Sequence, residues 1–136
     1  MVAEVTVDGA GGRVRVPRAW AVDSGHVINP DGLANQIEGG IIQATSWTLH
    51  EAVRFDRNGV QSVDWMTYPI VDIADAPEAI EVVLINHPEI APTGAGEPTI
   101  RTIPAAVANA FFDATGVRLR RVPLSPERVK AALAKA

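Results

Sequence analysis

The chain has 136 residues, with 12 Lys and Arg against 16 Asp and Glu and a net charge of −4. That length is one domain or part of one, and an acidic balance argues against a nucleic-acid surface, since the Arg and Lys that gather from Arg118 to Lys135 are interrupted by Leu119, Val122 and Leu124 as on a strand with one solvated face. Cysteine is absent, which excludes disulfides and thiolate-held iron–sulfur clusters.

In chain order, Val2–Val7 alternates apolar and polar, and Asp8 to Gly12 carries turn residues. Residues 13–22 then alternate again, so the two stretches read as a β-hairpin. A chain that opens in mid-strand at Met1 has the look of a piece of something larger. Asn29-Pro30-Asp31-Gly32 starts a helix capped by Asn29 or Asp31. Apolar positions from Leu33 to about Val53 recur at helical spacing. Gly39-Gly40 interrupts that helix at a cost of about 1 kcal/mol per glycine, which points to close approach of a ligand or of packed backbone.

Asn58-Gly59 predicts a second hairpin turn, with Trp65–Tyr68 continuing its second arm. Residues 72–79 read as a loop and 80–85 as a short strand buried on one face or more. A helix is expected from Ile103 to Ala114, with Pro104 in its first turn and Gly116 as its stop. Residues 117–122 alternate Arg with Val and Leu and read as a last strand. Ser125-Pro126 opens a terminal helix. The expected fold is α+β: a mostly antiparallel sheet, two main helices and a short C-terminal helix.

Gly94-Ala95-Gly96-Glu97-Pro98 is the segment richest in chemical implication. Its glycines let backbone approach a bulky ligand. Its carboxylate precedes a helix, whose positive end favours negative charge. The same residues also make an ordinary solvated turn. His26, His50 and His87 are scattered without the short ligand spacing of a zinc site, so no metal bound directly by this chain is expected. Ser24 and Ser46 lack a nucleophile-elbow setting, which disfavours hydrolase chemistry. Trp20, Trp47 and Trp65 read as core or inter-domain packing, some of it exposed in this piece.

Five segments in order resemble the molybdenum-binding large subunit of the xanthine dehydrogenase and aldehyde oxidase superfamily. They are Val22-Asp23-Ser24-Gly25, Ile28-Asn29-Pro30, Gln36-Ile37-Glu38-Gly39-Gly40, Gly94-Ala95-Gly96-Glu97-Pro98 and Pro104-Ala105-Ala106-Val107-Ala108-Asn109-Ala110. The wording is nearest the isoquinoline 1-oxidoreductase beta-subunit type and runs from Val2 to Val122, with Ser24 where the family often has Cys or Val. The resemblance makes residues 1–136 the C-terminal portion of a molybdopterin cofactor-binding domain.

It further implies a molybdenum ion held by a pterin dithiolene, with Glu97 as the glutamate that deprotonates the metal's hydroxyl for attack on an aldehyde or N-heterocycle. Gln36 falls in the segment that contacts the pterin, where an amide's paired donor and acceptor suit a mixed edge. On the residues alone it serves equally as a surface glutamine. Gly39, Gly40, Gly94, Ala95 and Gly96 line the cofactor side, with packing the competing role of Gly39 and Gly40. Earlier cofactor-binding segments of the family are missing, so this piece supplies one wall and the base without holding molybdopterin alone. The implied partners are the remainder of the large subunit and an iron–sulfur small subunit. The chain by itself is expected to be inactive and to self-associate through the surfaces those partners cover. The implied location is cytoplasmic, or periplasmic where a longer chain carries a signal.

Overall fold

Alternation at the N-terminus folds as expected into β1 (Val2–Val7) and β2 (Val14–Gly25), paired antiparallel from Val2↔Trp20 to Val7↔Val14. The computed structural model describes residues 1–135. Gly12 closes the hairpin at φ 74°, a left-handed conformation that favours glycine. The Asp8 side chain accepts from the Ala10 N–H at 3.0 Å. One face of β2 buries Val14, Val16, Ala19 and Ala21.

β2 runs to Gly25, three residues past the expected end, because its second half pairs with β5 (Ala79–Asn86). This pairing is parallel, from Arg18↔Ala79 to Gly25↔Asn86. The ladder holds the turn-like residues Asp23, Ser24 and Gly25 extended. The sheet order is β1-β2-β5, and β3 (Phe55–Asp56) pairs antiparallel with β4 (Gly59–Val60) in a hairpin whose turn is Arg57-Asn58, one residue earlier than expected, because Gly59 pairs with Asp56 as the first residue of β4.

α1 (Pro30–Leu49) begins where Asn29 Oδ1 accepts from the Gly32 N–H at 2.9 Å, with Pro30 in the first turn. It stops at Leu49, four residues short of Val53. The N–H groups of His50 and Glu51 both turn back to the Ser46 carbonyl, and the Leu124 N–H donates to Thr48 O at 2.7 Å. A later segment therefore closes the helix end.

α2 (Pro98–Thr115) starts five residues before the expected Ile103, so Pro104 lies inside the helix and not in its first turn. Packing outweighs the lost hydrogen bond: Ile103, Val107 and Phe111 follow at four-residue spacing and are fully buried. Gly116 ends the helix at φ 73° as expected. α3 (Pro126–Leu133) is capped by Ser125.

Two expected strand segments do not form. At 65–68 the Asp64 carboxylate accepts from the Met66 and Thr67 N–H groups, and the Tyr68 N–H reaches Asp64 O at 2.8 Å, which curls the chain into a turn. Residues 117–122 keep their alternation but pair with no strand among the described residues. They run back along α2, where Arg118 stacks over the Phe112 ring 3.9 Å from its centre and donates to Asn109 at 2.7 Å. Both helices pack on each other and on the sheet, enclosing a core of Val16, Ile37, Ile41, Ile103, Val107 and Phe111.

Candidate functional site

Parallel pairing brings the C-terminal ends of β2 and β5 side by side. The His87 N–H donates to Gly25 O at 2.8 Å, and the Val27 N–H donates to Asn86 Oδ1 at 3.0 Å. The loop entering α1 and the loop entering α2 thus leave the sheet at one edge. They enclose a hollow of about 210 Å³ whose walls include His26, Ile28, Leu33, Gln36, Thr93 and Ala95. A crevice beyond the carboxyl ends of parallel strands is the usual place for a ligand in such sheets.

Of the residues singled out in the sequence, Gln36, Ala95 and Gly96 come together here. A Cβ on Gly96 would lie 3.2 Å from Gln36 Nε2, so the loop backbone presses close to this exposed amide. Glu97 follows at once, exposed at the N-cap position of α2, and its side chain makes no capping hydrogen bond. The carboxylate is left available for another task.

The other glycines divide by environment. Gly40 is buried at the crossing of α1 and α2, where a Cβ would sit 2.3 Å from Thr99 Oγ1. It lets α1 pack closely on the first turn of α2. Gly39 and Gly94 face open space, with nothing within 4 Å of where a Cβ would stand. Gly39 borders a second groove, of about 420 Å³, along the outer face of α1. Among the described residues no three His, Cys, Asp or Glu side chains gather to hold a metal ion, and no helix is long and apolar enough to cross a membrane.

Sequence reasoning passed over His26, Ile28 and Thr93 as wall residues. Ile28 carried one usable signal, since it belongs to the Ile28-Asn29-Pro30 segment at the helix start that the sequence does mark.

The family model described as molybdopterin cofactor-binding domain matches residues 1–77. The B subunit of nicotinate dehydrogenase from Pseudomonas putida is 44% identical over 133 residues, covering 97% of this chain and 11% of that protein. The beta subunit of isoquinoline 1-oxidoreductase from Brevundimonas diminuta is 35% identical over 127 residues, covering 93% of this chain and 16% of its own length. Quinoline 2-oxidoreductase from Pseudomonas putida 86 superposes with a TM-score of 0.84 at 30% identity, over 96% of this chain and 18% of that one. The chain therefore spans less than a fifth of the length of each protein it is compared with.

Proposed function

Since the chain belongs to the molybdopterin cofactor-binding domain family of molybdenum hydroxylase large subunits, we propose that residues 1–136 are the C-terminal portion of such a domain. In this reading it serves an oxidoreductase that hydroxylates aldehydes or N-heterocycles with water-derived oxygen, and Glu97 is the base. One observation supports the proposal: the Gly96 backbone lies against the Gln36 amide on α1, and Glu97, the next residue, stands at the N-cap of α2 with its side chain making no capping bond. N-heterocyclic substrates draw support from the names of the nicotinate, isoquinoline and quinoline relatives.

The residues present fit one edge of a molybdopterin. An exposed amide offers donor and acceptor together, and the backbone at Gly96 has no Cβ to hold a flat group away. A hollow of about 210 Å³ falls below the roughly 300–1,000 Å³ that encloses a drug-sized ligand. The remaining walls then belong to the rest of the large subunit, and an iron–sulfur subunit is the partner that would take up the electrons. When bound, the molybdenum cofactor supplies the two-electron redox centre. Gln36 orients the pterin edge, the Gly94–Gly96 backbone lets it lie close, and a Glu97 carboxylate oxygen takes the proton from the water-derived nucleophile. A cytoplasmic location accompanies this reading.

Replacing Gln36 with Ala in the complete enzyme should weaken cofactor retention about 2–10-fold, the worth of one hydrogen bond of about 0.5–1.5 kcal/mol. Pterin and molybdenum content after dialysis measures it, and undiminished content would remove Gln36 from the cofactor wall. A second reading has its own support in the exposed Trp65 and Met66: a free-standing module that folds and self-associates without molybdopterin. Stoichiometric molybdenum in the purified chain would exclude that reading.

A further inference from the structure

The outer stripe of α1 continues past the candidate site. Gln36, Gly39, Gln43 and Trp47 recur at spacings of three and four residues, which places them on one helix face. Gly39, Ile42, Trp47, Trp65, Ile70 and Val71 line the 420 Å³ groove on that side. Across from α1, the groove is walled by the segment that follows β4. Its large apolar side chains point outward: Trp65 is 74% exposed, Met66 89% and Ile73 95%, and Trp47 on the helix is 40% exposed.

This segment is not loose chain. The Val71 N–H donates to Ser46 Oγ at 2.9 Å, and the Tyr68 hydroxyl donates to Glu51 Oε2 at 2.7 Å, pinning it to α1 at two points. The second bond holds the Tyr68 hydroxyl above the ordinary phenol range. Thr67 donates to the Asp64 carboxylate from its hydroxyl and its N–H, which holds that acid below its ordinary value and fixes the bend that presents Trp65 and Met66. Internal hydrogen bonds thus restrain the loop while its apolar side chains stay uncovered. Fixed, outward Trp and Met are what a protein interface needs, since little ordering entropy is left to lose on association.

We propose that this face, the outer stripe of α1 with the 63–73 segment, is the docking surface for the rest of the molybdenum-binding polypeptide. The occupant is argued from length: relatives that align along nearly all of this chain carry more than four-fifths of their residues elsewhere. Position supports it as well. Gly39 borders the groove one helical turn from Gln36, a rise of about 4.5 Å along the axis, so a polypeptide seated there meets the open side of the cofactor wall. The inference rests on the reading that the chain is one part of a longer cofactor-binding protein.

Oxidative footprinting of Met66 tests it, comparing the isolated chain with the complete molybdenum-binding polypeptide. Met66 should oxidise freely in the isolated chain held dilute enough to be monomeric, and at least tenfold more slowly in the complete protein. Equal rates would overturn the proposal. Protection in the complete protein that is lost on dilution would assign the face to a second copy, and would overturn it too. As a companion, Trp65→Asp with Met66→Asp should leave the melting curve of the isolated chain unchanged, because both side chains are exposed, while lowering the yield of assembled complete protein at least tenfold. Unchanged yield counts against the docking role. None of these readouts depends on turnover, so the Glu97→Gln enzyme should show the same Met66 protection even where the base assignment fails.

Discussion

Glu97→Gln in the complete, cofactor-loaded enzyme is expected to reduce turnover about 10²–10⁴-fold, the usual contribution of a positioned general base, with molybdenum and pterin content unchanged. Gln keeps the size and shape of the side chain and loses only its capacity to take a proton. The substitution is clean because Glu97 has no structural duty: it is exposed, and it does not cap α2 with its own side chain. Metal analysis beside steady-state rates separates the possibilities. Undiminished turnover would refute the base assignment, while turnover lost together with molybdenum would make Glu97 a cofactor anchor. Glu97→Asp retains a carboxylate on a shorter arm, so its rate should fall between the two.

Gly40→Ala is expected to destabilise the fold by about 1–3 kcal/mol, the range typical of overpacking. Helix propensity alone predicts the opposite sign, a gain of about 1 kcal/mol on replacing a helical glycine with alanine. Contact decides the matter, since the new methyl would fall 2.3 Å from Oγ1 of the short, buried Thr99 side chain, and Thr99 Cβ is only 3.5 Å away as well. Thr99 Oγ1 is itself buried without a hydrogen-bond partner. Thr99→Ala should therefore cost little, and adding it to Gly40→Ala should restore most of the lost stability. Denaturant midpoints of the four proteins measure this coupling. Additive effects, with no rescue, would show that the helices do not meet at this point. Because the same crossing fixes where Gln36 stands relative to Gly96, cofactor retention in the complete enzyme should follow the same order.

Local sequence was a good guide wherever a local interaction fixes the structure. Asn29, Ser125 and Gly116 each act through hydrogen bonds or backbone angles within a few residues, and each stands where the sequence placed it; the hairpin near Asn58-Gly59 forms too, with its turn shifted one residue to Arg57-Asn58. Long-range partners caused the misses. Alternation at 117–122 describes an extended chain, but a strand also needs a neighbour, and these residues lie against α2 instead. Pro104 argued for a helix start, yet the buried row of Ile103, Val107 and Phe111 carries the helix through it. The site followed the same division. The sequence marked the motif at 94–97 and Gln36 as separate candidates, and the approach of Gly96 to Gln36 was not legible, because it depends on how α1 and α2 cross. Gly39 and Gly40 are identical in sequence terms, and only packing distinguishes the open one from the one pressed against Thr99.

The direction of β5 has a geometric consequence for this arrangement. Its seven steps from Ala79 to Asn86 span about 23 Å at 3.3 Å each. Were the strand reversed in the same place, Asn86 would emerge at the opposite rim, and residues 87–96 would be taken up by the journey back before Glu97 could reach the neighbourhood of Gln36. Running alongside β2 in the same sense, the chain arrives with those ten residues still in hand, free to bend around the hollow.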